Sequence, residues 1–213
     1  MSSEVRNNIL RKIRLALTHS TPIPFPLTDG PAAVFQPLQQ DVVVEFAEQF
    51  TNIQGKFCFC ATETEVKQGL HTLFQELGWT RIYCKLPAWH KQLPEVIWTD
   101  DIVNCDASIT ECEALVARTG TIVLSAANTG RTTSVYAPVH ICIAYTSQLT
   151  YDLSDAFTLL KEKYRENLPS FISFATGPSR TADIEKTLVV GVHGPKEVYC
   201  FLIDDGKWNS TSR

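Results

Sequence analysis

The 213-residue chain lacks most of the short motifs that announce a chemistry. It has no GxxxxGK[ST] and no GxGxxG, so the common phosphate-cradling loops are absent. It has no HExxH, and His, Asp and Glu do not recur at ligand spacing, so no dedicated metal site is expected. Its seven cysteines, Cys58, Cys60, Cys84, Cys105, Cys112, Cys142 and Cys200, form no CxxC. An odd, unclustered set argues against a disulfide framework, and against a zinc or iron–sulfur site, which needs several thiolates on one centre. No Lys/Arg cluster stands ready to neutralise phosphates, and the net charge is −4, so nucleic acid is not an expected partner. No run of 18 apolar residues exists, so no transmembrane helix is expected. The basic start MSSEVRNNILRKIRLALTHS has spaced rather than continuous apolar residues, unlike a secretory leader, and the cytoplasm is the expected compartment.

What is present is a globular composition, 44% hydrophobic, in a chain long enough to bury a sizeable core. Residues 3–17 have a helical period, with Val5, Ile9, Ile13, Ala16 and Leu17 at three- and four-residue spacing. TPIPFPLTDGP follows, with four Pro and one Gly in eleven residues, and reads as an extended connector. Residues 1–37 are therefore expected to form a helical arm and link, packed on the body or on a partner subunit, which leaves a homo-oligomer open. Residues 38–213 are expected to form one α/β domain.

In that domain LQQDVVVEFAEQFTNIQG reads as a helix, KFCFCAT as a strand and ETEVKQGLHTLFQELG as a helix closed by Gly78. RIYCK and DASIT read as strands, ECEALVAR as a helix, TIVLSA and VHICIAYT as strands, YDLSDAFTLLKEKYREN as a helix capped by Asp152 or Ser154, and FISFAT and VYCFLID as strands. VVGV is expected to pair antiparallel with VYCFLI. The alternation predicts an open, mostly parallel sheet with helices on both faces in three layers. Ligands in such sheets sit at the carboxyl ends of strands, which directs attention to the loops after VLSA, IAYT and SFAT.

Three constellations carry polar groups into those loops. In ANTGRTTS, Arg131 is a forked donor for carboxylate or phosphate beside Gly130; the alternative is a solvated loop. In TGPSRTADIEKTLVVGVHGP, Gly177, Ser179, Arg180, Thr181 and Asp183 surround a predicted helix start near Ala182, where free N–H groups favour an anion, and HGP presents His193 as an acid or base. Two capped turns holding a final hairpin would use the same residues. In ITECEALVARTG, Glu111 and Glu113 open the predicted helix, where they stabilise its dipole or, pointing inward, act as base or nucleophile. His140 follows APV and reaches the strand-end region or the core.

The blocks TGTIVLS, Gly130-Arg131 followed by APVHI, and GPSRTADIE with GVHGP together resemble the lactate utilisation protein C family, with its LUD domain. The resemblance covers residues 55–203 by motif. It implies a fold similar to the NagB/RpiA/CoA-transferase-like class, and a role in a cytoplasmic system that oxidises L-lactate to pyruvate with iron–sulfur partner proteins. No cofactor is then expected in this chain, since any cluster belongs to the partners. The expected ligand is a small organic acid such as L-lactate or pyruvate, held by Arg131, Arg180 and the N–H groups after Gly177, with Asp183 and His193 on the hydroxyl side. Two other roles fit the same residues: a stand-alone enzyme of the CoA-transferase or phosphosugar-isomerase-like fold using Glu111 or Glu113, and a non-catalytic scaffold subunit.

Overall fold

A computed structural model describes residues 3–18, 37–181 and 189–207. The chain divides into two units, Met1–Pro37 and Leu38–Arg213. In the first, helix α1 (Ser3–Leu17) exposes its stripe of Val5, Ile9 and Ile13. No helix among the described residues is long and apolar enough to cross a membrane.

The second unit is built on six parallel strands in the order β1-β12-β7-β4-β2-β3. These are β1 (Lys56–Cys60), β2 (Ile82–Cys84), β3 (Trp98–Thr99), β4 (Ala107–Glu111), β7 (Val139–Tyr145) and β12 (Glu197–Ile203). The strands at the centre alternate between two apolar faces, as a sheet covered on both sides requires. Val139, Ile141 and Ile143 of β7 and Tyr199, Phe201 and Ile203 of β12 join one core with Val66, Leu70 and Phe74 of helix α3 (Glu63–Leu77). Thr62 caps the start of α3 and Gly78 closes it in the left-handed conformation.

On the other face Cys142, Ala144, Val198, Cys200 and Leu202 meet Phe46 and Phe50 of helix α2 (Val42–Asn52). The Asp41 carboxylate caps α2, accepting from Val43 N–H at 2.8 Å, and its two Phe rings, one turn apart, stack at 5.4 Å between centroids. This face is shared with a four-stranded sheet, β8 (Leu149–Thr150), β5 (Ala114–Val116), β6 (Thr121–Ser125) and β9 (Ile172–Ala175), in that order. Helix α6 (Leu153–Tyr164) covers its far side with Ala156 and Leu160. Asp152 and Asp155 form the capping box of α6.

Three expectations are corrected. ECEALVAR is not a helix: Glu113 N–H donates to Val123 at 2.7 Å, and Ala114–Val116 pair antiparallel with Thr121–Val123. The strands VLSA and SFAT are not part of the parallel sheet, since β6 and β9 run antiparallel in the second one. VVGV does not pair with VYCFLI: β11 (Val189–Val190) pairs with β10 (Arg180–Thr181). The expected helix start near Ala182, and Asp183 with it, lie outside the described residues.

Candidate functional site

The six parallel strands give their sheet two distinct edges, and the residues singled out in the sequence divide between them. At the carboxyl edge, Lys85 follows β2 and Glu111 ends β4, which is its neighbour through Cys84 and Ile109. The loop after β6 passes beside the Lys85 side chain. A Cβ added to Gly130 would lie 3.4 Å from the Lys85 ammonium, and Arg131 is the next residue. Lys85, Glu111 and Arg131 make no ion pair among the described residues, and Arg131 is exposed. The loop is anchored by short polar contacts: Thr133 Oγ1 donates to the Thr129 carbonyl at 2.5 Å, and Ser108 Oγ donates to the Thr133 carbonyl at 2.7 Å. Two cations without carboxylate partners can hold a small anion by charge-assisted hydrogen bonds. Lys85 carries no motif and escaped the sequence reading; its only signal is its position just past a strand.

The block 177–195 lies elsewhere. Gly177 packs against Ile53 of the α2 terminus, three residues before β1 begins, and the Arg180 guanidinium donates to the Ile53 carbonyl at 2.5 Å. That is the cap of a helix carboxyl end, which a cation suits. Ser179 N–H donates to Pro195 and Gly191 N–H to Ser179, both at 2.9 Å, so the described residues of the block form a small flap on the amino edge. Thr181 is taken up in β10. His193 lines a groove with Arg81, Asn104, Pro138 and Lys196, residues that precede β2, β4, β7 and β12. Arg131 and Arg180 are not among its lining residues. The structure therefore does not gather Arg131, Arg180 and His193 into one pocket.

Glu113 is fully buried and spoken for. It accepts from Ser125 Oγ at 2.5 Å, Tyr164 OH at 2.7 Å and Lys163 Nζ at 2.7 Å. Burial pushes its pKa up, but the ammonium and the two hydroxyls outweigh this and hold the carboxylate below its ordinary range. Its place between the second sheet and α6 leaves it no open oxygen to serve as nucleophile. His140 is also core: burial drives its pKa down to about 4, and its Nε2 meets Thr110 Oγ1 at 2.7 Å. Cys58 and Cys60 share a strand face, with sulfurs 3.8 Å apart, and burial followed by the Cys58 neighbour pushes Cys60 up to about 12. No three His, Cys, Asp or Glu among the described residues are placed to hold a metal ion.

The model of the LUD domain matches residues 83–203. Lactate utilization protein C of a Geobacillus species is 30% identical over 201 residues, 81% of this chain and 82% of that protein. Lactate utilization protein C of Bacillus licheniformis is 37% identical over 105 residues, 48% of this chain, and the chain spans about half, 44%, of that protein's length. Among solved structures, a DUF162 family protein from Deinococcus radiodurans superposes with a TM-score of 0.58 at 20% identity, covering 78% of this chain and 99% of that one. That likeness establishes the α/β fold.

Proposed function

The chain belongs to the LUD domain family, and from that premise we propose that it serves L-lactate utilisation by binding a small organic acid, L-lactate or pyruvate, beside iron–sulfur partner proteins. Relatives named lactate utilization protein C support the process. The observation that carries the binding role is the approach of the Lys85 ammonium to Gly130, next to Arg131, at the carboxyl edge of the parallel sheet. α/β sheets place their ligands at that edge. The two cations take the carboxylate; Glu111 follows Ile109 by two residues, on the other face of the sheet, and is left out of this site. Arg180, committed to the Ile53 carbonyl, and His193, at the opposite edge, are left out of this site.

Calorimetry with L-lactate and pyruvate tests the reading. Lys85→Gln and Arg131→Gln should each weaken binding about tenfold or more, the worth of one charge-assisted hydrogen bond. Arg180→Gln should leave it unchanged. Absence of binding to the wild type, or binding by Lys85→Gln or Arg131→Gln as tight as the wild type's, refutes it. A scaffold role is favoured by one separate observation, the exposed Val5, Ile9 and Ile13 stripe of α1. Deleting residues 1–37 should then abolish co-purification with an iron–sulfur protein, and survival of the complex refutes that role.

A further inference from the structure

The groove at the amino edge of the parallel sheet is the second place where cations gather. Its volume is about 740 Å³, within the range of pockets that enclose small organic molecules. Arg81, His193 and Lys196 line it, with Asn104 as an added polar group. Lys196 and His193 make no ion pair among the described residues. Arg81 reaches Asp106 only at 3.4 Å, and that carboxylate already accepts the Thr80 and Arg81 N–H groups, each at 2.8 Å. Most of the guanidinium fork stays available, its side chain 54% exposed.

The cations are positioned rather than loose. Gly191 has φ +80°, and the space a Cβ would take there is filled by the methylene stem of Lys196. Only glycine both adopts this backbone and leaves that room. Lys196 N–H donates to Pro138 at 2.8 Å, and Gly194 packs on Ser179 so closely that a Cβ would lie 2.9 Å from the Ser179 Cβ. The flap thus carries His193 on a fixed turn while the Lys196 stem is pinned beneath it.

The remaining lining is apolar and open to solvent. Val103 is 67% exposed and Tyr136 60%, with Val192 and Val135 beside them. An exposed tyrosine ring next to a cationic cluster offers a stacking platform for a flat ring. A three-carbon acid would leave that wall unused. A phosphate monoester carries close to two negative charges at neutral pH and matches Arg81 and Lys196 together.

We propose that this amino-edge groove is a binding site for an organic phosphate bearing a planar ring, of mononucleotide size, with Arg81, His193 and Lys196 on the phosphate and Tyr136 against the ring. This site is separate from the carboxyl-edge acid site and does not depend on it.

Calorimetry on the full chain with adenosine monophosphate, inorganic phosphate and adenosine tests the assignment. Adenosine monophosphate should bind at least about tenfold tighter than either fragment, because charge and ring contacts are both needed. Lys196→Gln, which keeps the stem over Gly191, and Arg81→Gln should each weaken adenosine monophosphate about tenfold. Tyr136→Ala should weaken adenosine monophosphate and leave inorganic phosphate unaffected. Lys207→Gln, outside the groove, serves as the charge control and should change nothing. Urea midpoints of all variants identify any that fail to fold, and His193→Gln, at an exposed position, then replaces them. The proposal is overturned if adenosine monophosphate does not saturate the protein, binds no tighter than inorganic phosphate, or is indifferent to the groove variants.

Discussion

Acidification from pH 7 to pH 5 should weaken the fold through one residue, His140. Its imidazole is fully buried in β7, its Nε2 at 2.7 Å from Thr110 Oγ1, and burial lowers its pKa from 6.5 to about 4. A histidine held neutral in the fold but free to charge in the unfolded chain costs nothing above the unfolded pKa. Its penalty grows as the pH falls below 6.5 and levels off once the folded pKa is passed, so stability rises with pH between those values. At 1.36 kcal/mol per pH unit, the loss is about 2 kcal/mol at pH 5 and about 3 kcal/mol at pH 4. Carboxylates with lowered pKa, Asp101, Asp106, Glu113, Asp152, Glu197 and Asp205, contribute in a lower pH range. Their stabilisation is complete above the unfolded carboxylate pKa and is lost at lower pH, so the window from 6.5 to 5 isolates histidine. Urea unfolding followed by tryptophan fluorescence at pH 7, 6 and 5 measures the slope, and His140→Gln, which can still hydrogen-bond Thr110 but cannot charge, should flatten it. An unchanged slope in His140→Gln, or an imidazole that titrates near 6.5 by NMR, refutes the reasoning.

Lys163→Met should destabilise by about 3–5 kcal/mol, since it strands a buried carboxylate with two hydroxyls for company. Glu113→Gln should cost less, because the Lys163 side chain is 48% exposed and its ammonium can turn to water; equal urea midpoints for the two variants would contradict this asymmetry. Gly78→Ala places a Cβ in open space at φ +65°, for about 1–2 kcal/mol. Gly120→Ala meets the Phe50 backbone nitrogen at 2.6 Å with φ +60° and should cost clearly more, which thermal unfolding will rank. Cys58 is the exposed thiol of the seven, so a thiol reagent on the native protein should show one fast-reacting group, and that phase should vanish in Cys58→Ser.

The α/β rhythm was legible where alternation is strong. VHICIAY and EVYCFLI each send every second residue to one core, and helix ends at Asp41, Thr62, Asp152 and Gly78 carry their own caps. It failed at β5, three residues long and too short to display a period. Ala114, Leu115 and Val116 are all inaccessible, a continuous apolar run that periodicity cannot tell from a helix segment. A buried Glu113 beside them strengthened the wrong reading, because a lone carboxylate looks like a solvated first turn until its partners, fifty residues on, are known. Strand direction was illegible for the same reason. FISFAT reads alike in either sheet, but as β9 it runs antiparallel to β6 and delivers the chain to the amino edge, taking Arg180 and His193 away from Arg131.

That separation changes what the charged residues mean. Two that looked chemical serve the packing instead: Glu113 ties β5 and β6 to α6, and Arg180 ties the flap to the end of α2; Arg118 also meets Asp152, at 2.9 Å, where α6 begins. Lys56 and Lys163 likewise have carboxylates within 2.7 Å. Lys85, Arg131 and Lys196, by contrast, meet no carboxylate among the described residues. Lys85 with Arg131 stands at one end of the parallel sheet, and Lys196, in the same groove as the His193 imidazole, at the other. Like charges brought together by a fold, without internal counter-charge, carry an electrostatic cost that an anionic ligand removes. The two ends differ in what surrounds the charge. The hydroxyl-rich segment around Gly130, beside Lys85, suits a small, strongly hydrated acid, whereas the valine and tyrosine walls at the amino edge suit an anion with an apolar body.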